Sequence, residues 1–156
     1  MPSGFHRLGA VVRIANDGRY FADFTLTTGR VGTLDIDCSV EAGESAITEL
    51  TARVFGHADD EVKIKERVVL SGENARGLIK TRVALEGDAV SEVTGIKEGN
   101  AAGARGHVDC MEIVKDNAVA KAVPIVNVAN PLAKVTHEGQ LGALKSVRWR
   151  RLWLMD

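Results

Sequence analysis

Aromatic residues make up only 4% of the chain, and proline occurs 3 times in 156 residues. Most globular cores hold more rings. A core of Val, Ile, Leu and Ala suits stacked strands, where each layer must resemble the next. Cysteine occurs only at Cys38 and Cys110, too few for a disulfide framework. Neither charge dominates: Lys plus Arg number 20 against 21 acids. That balance excludes the positive field of a general nucleic-acid or membrane-surface binder. No apolar run approaches the ~18 residues that cross a bilayer. The opening "MPSGFHRLGA" lacks the apolar stretch of a signal peptide. These absences predict a soluble, cytoplasmic protein with reduced thiols. Hydrophobic residues at 45% suit a single domain with a core of its own.

The first 70 residues read as strands joined by turns. "GAVVRIANDGRYFADFTLTTGRVGTLDID" alternates apolar and polar residues around a turn at Asn16-Asp17-Gly18. Val11, Tyr20, Phe24, Leu26, Leu34 and Ile36 are its core candidates. Ile47, Thr48, Thr51 and Val54 tilt "AITELTARVFG" towards strand. Further on, "LSGENA", "LEGDA", "IKEGNA", "IVKDNA" and "VANPLA" repeat an aliphatic residue, a polar or glycine-bearing turn and a closing alanine. The alanines are Ala75, Ala89, Ala101, Ala118 and Ala133. A unit this small buries its apolar face only against copies of itself, which predicts a parallel β-solenoid over a β-sandwich with chance hairpin repeats.

The last residues depart from this pattern. "LKSVRWRRLWLMD" gathers both tryptophans and four basic residues. It reads as a short helix capping the solenoid, with Trp149 and Trp153 one turn apart, ahead of an RNA- or lipid-binding tail. No nucleophile–base pair, phosphate-binding loop or pair of catalytic carboxylates is visible, so no enzyme activity is expected. "GNAAGARG" lacks the lysine and the strand-to-helix setting of a phosphate loop. "GHADDE" at 56–61 reads as a polar turn ahead of a cation site. A carbohydrate-active β-helix would need aromatic platforms that the chain lacks.

From about residue 66, Arg76-Gly77, Thr81-Arg82 and Arg105-Gly106 are spaced through strands. "GHVDC" follows, then the proline-bearing strand "AVPIVNV", then "AKVTHEGQLG". In these motifs and their order the sequence resembles the SufB/SufD family of iron–sulfur cluster assembly proteins. The resemblance implies a right-handed parallel β-helix, flattened into two sheets, over residues 1–142, with residues 143–156 as a basic-aromatic tail. It also implies a short member, since family proteins carry a region ahead of these coils and a helical ATPase-docking segment after them. "LKSVRWRRLWLMD" does not resemble that segment. The partners implied are a SufC-like ABC ATPase, a sulfur-donating desulfurase system, and a SufB/SufD paralogue or a second copy of the chain. Any nucleotide would be bound by the ATPase and not by this chain.

The resemblance implies the site residues too. Cys110 matches the cysteine associated with cluster formation, and His137 and Glu138 match the "HE" that follows; Thr136 stands where an acid is frequent. Cys110 and His137 would be the metal ligands of a transient iron–sulfur cluster, with Glu138 a further cluster-binding residue. Thiolate and imidazole suit iron, while carboxylate is weaker. One thiolate cannot hold a cluster, so two chains would meet at a shared seam. Open strand edges likewise predict an oligomer. Strand parity leaves Cys110 open as a core residue beside Val108, with a bulge or register switch before Ile113. His137 can equally point inward, and Glu138 then faces out. His107 and Asp109 read as surface residues and Cys38 as buried. Arg105 or a charged histidine would lower the Cys110 pKa if close enough.

Overall fold

The computed structural model describes residues 4–143. Their secondary structure consists of ten strands: β1 Phe5–Ile14, β2 Arg19–Leu26, β3 Thr33–Ala42, β4 Ile47–Gly56, β5 Glu61–Leu70, β6 Arg76–Leu85, β7 Val90–Gly99, β8 Arg105–Val114, β9 Val119–Val128 and β10 Lys134–Ala143. Odd strands form one five-stranded sheet, in the order β1-β3-β5-β7-β9. Even strands form the other, in the order β10-β8-β6-β4-β2. Every pairing is parallel, as between Glu61 and Val90 or Arg76 and Arg105. The described residues therefore form a β-solenoid of five coils, each with one strand in either sheet. Consecutive strands never pair with each other, which excludes hairpins and the sandwich alternative.

The corners explain the alanine repeat and correct one of its members. Ala75, Ala104 and Ala133 close equivalent turns, donating to the carbonyls of Gly72 (3.3 Å), Ala101 (3.3 Å) and Asn130 (3.0 Å). Ala104, not Ala101, is thus the counterpart of Ala75; Ala101 opens its turn. Ala89 and Ala118 close turns at the opposite corner. Two corner types alternate, which is why the spacing looks irregular along the chain. Most turns hold one residue of positive φ: Asp17, Ser45, Asn74 and Gly103 at one corner, Ala58, Gly87 and Asp116 at the other, while the β2–β3 turn holds two, Gly29 and Gly32. Glycine, Asn and Asp accept that conformation readily, and Ala58 does so with strain.

Strand alternation sends every second side chain inside. Leu34 and Ile36 are fully buried, while Tyr20, Phe24 and Leu26 pack half-buried against the core. Val11 is an exception to the expected core: it is 87% exposed, because β1 turns Ala10, Val12 and Ile14 inward. The "GHADDE" segment is a turn built around Asp60. Its fully buried carboxylate accepts hydrogen bonds from the N–H groups of His57 (3.0 Å), Gly32 (3.0 Å) and Val31 (3.3 Å) and from Arg30 Nε (2.7 Å). No helix among the described residues is long and apolar enough to cross a membrane. The expected tail, including Trp149 and Trp153, lies outside the described residues, and β10 runs to Ala143.

Candidate functional site

Besides the hydroxyls of Thr48 and Ser91, the aliphatic interior holds a group of charged, polar and sulfur-bearing side chains. In the odd sheet, Cys38 registers with Glu66, and Glu66 with Gly95. In the even sheet, Thr81 registers with Cys110, and Cys110 with Gly139. The two columns meet across the interior, where Thr81 Oγ1 donates to Glu66 Oε2 at 2.6 Å. Lys97, 0% exposed, donates from Nζ to the carbonyls of Gly77 (2.6 Å) and His107 (2.7 Å). Glu112 is 2% exposed, and its Oε1 has no hydrogen-bond partner; neither has Glu66 Oε1.

Burial dominates the electrostatics of this set, because a low-dielectric interior penalises charge. It pushes Glu66 and Glu112 up to about 7; at Glu66 the Thr81 hydrogen bond and Lys97 oppose the rise. It brings Lys97 down to about 7, against Glu66 and Cys110. The Cys110 thiol is pushed up to about 12 by burial and then by Glu66, with the Thr81 hydrogen bond opposing. Cys38 rises to about 11, again through burial and Glu66. Both thiols are therefore protonated at neutral pH in the isolated chain.

Cys110 is 4% exposed, on the inner face of β8. The strand needs no bulge to reach Ile113: β8 stays in register with β6 from Arg105 to Val114. Ile113 lies on the outer face beside Ala84, itself next to Phe55, and all three are buried. Arg105 is at the far end of β8 on the outer face, so it does not assist the thiol. His107 and Asp109 also face out. The imidazole Nδ1 is 2.8 Å from Thr136 Oγ1, and the Asp109 carboxylate receives Arg82 Nη2 at 2.6 Å.

β10 is the last described strand of its sheet; of its inward residues Val135 is half-buried, while His137, Gly139 and Leu141 are exposed. His137 pairs with Val108 in the inward column of Ile79 and Leu50, yet it is exposed. Gly139 lies beside Cys110, and a Cβ there would meet nothing within 4 Å. Cys110 and His137 thus share one inner wall on adjacent strands, offset by two residues, which puts their Cα atoms ~8 Å apart. Glu138 goes to the opposite face, next to Asp109, and accepts from Gln140 Nε2 at 3.1 Å. Among the described residues no three His, Cys, Asp or Glu side chains converge as a metal site.

Glu66, Thr81, Lys97 and Glu112 were not among the expected site residues. Their signal was present: Glu66 has the parity of Ile64 and Val68, and Lys97 that of Val93. A charge on the aliphatic face of an alternating strand marks an interior polar group once the register is known.

No protein-family model matches the chain. An iron–sulfur cluster assembly SufBD family protein of Methanocaldococcus jannaschii is 44% identical over 134 residues, covering 85% of this chain and 42% of the relative. A SufBD family protein of Pyrococcus horikoshii is 32% identical over 141 residues, covering 90% of this chain and 43% of the relative. The chain belongs to the SufB/SufD family. It spans less than half the length of these two relatives. Within this SufB/SufD segment, the Arg-Gly pairs, the Cys110 strand and the His137 strand occupy neighbouring positions of β6, β8 and β10.

Proposed function

We propose that this SufB/SufD segment is a non-catalytic scaffold component of iron–sulfur cluster assembly, and that it presents Cys110 and His137 at an interface with a second subunit. The cluster is cargo: it is assembled there and passed on. The observation that carries this reading is the inner wall of β8 and β10. Cys110 lies beside the empty Gly139 position, and His137 is exposed two residues along. One thiolate and one imidazole per chain are too few for a cluster, but two chains supply a mixed Cys/His set. Glu138, on the outer face, would act only through contact with another molecule.

The second subunit is a paralogue or a second copy. An ABC ATPase of the SufC kind and a desulfurase system would complete the assembly in the cytoplasm. The family name of the two relatives supports this setting.

A second reading has its own support. Cys110 is buried, with its pKa at about 12, and no three ligands converge among the described residues. A stabilising SufD-like partner without a metal site has these properties. Anaerobic incubation with ferrous iron and sulfide separates the two. The scaffold reading expects visible charge-transfer absorption that Cys110→Ala abolishes and His137→Ala weakens. Uptake unaltered in Cys110→Ala would end that role for the residue. Light scattering should show a dimer under the same conditions.

A further inference from the structure

The cluster reading leaves the arginines of the two Arg-Gly pairs unused. Arg76, Arg105 and Lys134 register on adjacent strands at the start of β6, β8 and β10. All three are exposed on the outer face, ~4.8 Å apart in sequence of coils. None has an acidic partner among the described residues. Where like charges register elsewhere, acids or cations lie beside them: Arg53 and Arg82 stack but pair with Asp23 and Asp109, and Glu138 lies next to the Asp109 that Arg82 holds. On the odd sheet, Arg7, Asp35, Lys63, Glu92 and Lys121 alternate in sign along one column. Arg82 pairs with Asp109 and Arg67 with Glu98, each across neighbouring coils. Like charges on directly opposed strand positions repel, so the column of three cations is a local cost that the isolated chain leaves uncompensated.

Beside that column runs a cleft of 310 Å³ with an apolar floor that includes Ile47, Leu78, Gly77 and Gly106. The two glycines are required from within. A Cβ at Gly77 would lie 2.9 Å from Val68 Cγ1, and one at Gly106 would strike the Lys97 side chain. The cleft therefore has an apolar floor with Arg76 and Arg105 on its rim, and Lys134 continues their column on the next strand. Its acidic residue, Glu49, lies at the β4 end, away from Arg105 and Lys134.

We infer that this cleft and its cationic rim form a docking surface for a partner-protein segment that alternates carboxylates with apolar side chains. The carboxylates would pair with Arg76, Arg105 and Lys134, and the apolar groups would lie on Ile47 and Leu78. Guanidinium groups suit carboxylates because they can engage them bidentately. Nucleic acid fits less well: the cleft is lined by no Phe, Tyr or Trp on which a base would stack, and the chain has no net positive charge. This inference does not rest on the cluster reading, and its test involves no iron.

The test is fluorescence anisotropy with a labelled peptide of about eight residues that alternates Glu and Leu, long enough to cross the cleft. Arg76→Gln combined with Arg105→Gln should weaken binding about tenfold. Lys63→Gln, on the sign-alternating column, should leave it unchanged. Equal affinity in wild type and the double variant would overturn the inference. So would an absence of binding up to about 1 mM, or tighter binding of an oligouridylate than of the peptide.

Discussion

Lys97 runs through the space that Gly106 leaves empty. Its Nζ bonds the carbonyls of Gly77 and His107, so one ammonium ties β7 of one sheet to β6 and β8 of the other. A methyl group at residue 106 would collide with the Lys97 stem and displace those bonds. Gly106→Ala is expected to cost about 2–4 kcal/mol in urea unfolding. Combined with Lys97→Ala, the loss should fall short of the sum of the single variants by at least about 1 kcal/mol. Additive losses would mean that the two residues act independently.

The Asp60 corner should be among the most sensitive positions outside the aliphatic core. Burial works against its charge, but the His57 N–H, the Arg30 guanidinium and the Val31 N–H hold the carboxyl below its usual range. Asp60→Ala strands these donors and is expected to cost about 3–5 kcal/mol. Since the native pKa lies below the unfolded one, the stabilisation is present above pH 3.8 and is lost as pH falls through the native value. The acid-unfolding midpoint of Asp60→Ala, compared with wild type, checks this.

Stability should also pass through a minimum near neutrality. Glu66 and Glu112 titrate near 7 in the fold against 4.5 normally, so the native state keeps protons that the unfolded chain releases, and stability falls as pH rises across that window. Lys97, near 7 in place of 10.5, acts in the opposite sense: above 7 the unfolded chain holds the extra proton and stability rises. Glu112→Leu removes a buried carboxylate oxygen without a partner. It should reduce the fall from pH 4.5 to 7 and stabilise the fold by about 1–3 kcal/mol at its end. Urea midpoints across that range check this, and a slope left unchanged by the substitution would contradict the assignment.

Ala58 takes φ of 56° where the next coil has Gly87 at 70°. A left-handed alanine costs about 1–2 kcal/mol, and glycine gives back about half of that in unfolded-chain entropy. Ala58→Gly should therefore stabilise the protein by about 0.5–1 kcal/mol. Thermal unfolding would show the gain as an upward shift of a few degrees, and a downward shift would count against strain at this corner.

Much of the architecture was legible along the chain. Alternating strands, turns closed by alanine and few rings pointed to stacked coils, and the motifs around Arg76, Cys110 and His137 to the SufB/SufD family. Val11 and Ala101 were misplaced because strand ends and turn members look alike locally: a slip of one residue turns a side chain from core to solvent.

Local pattern determines that this chain makes strands and turns of nearly constant length, since backbone sterics and side-chain alternation act over a few residues. It does not determine which residues become neighbours. That comes from packing between sheets, which puts Lys97 against Gly106 and Thr81 against Glu66, and from coil-to-coil hydrogen bonding, which puts Arg76 beside Arg105, twenty-nine residues on. The same long-range stacking buries Cys110 one strand in from the end and leaves His137, in the final described strand, exposed.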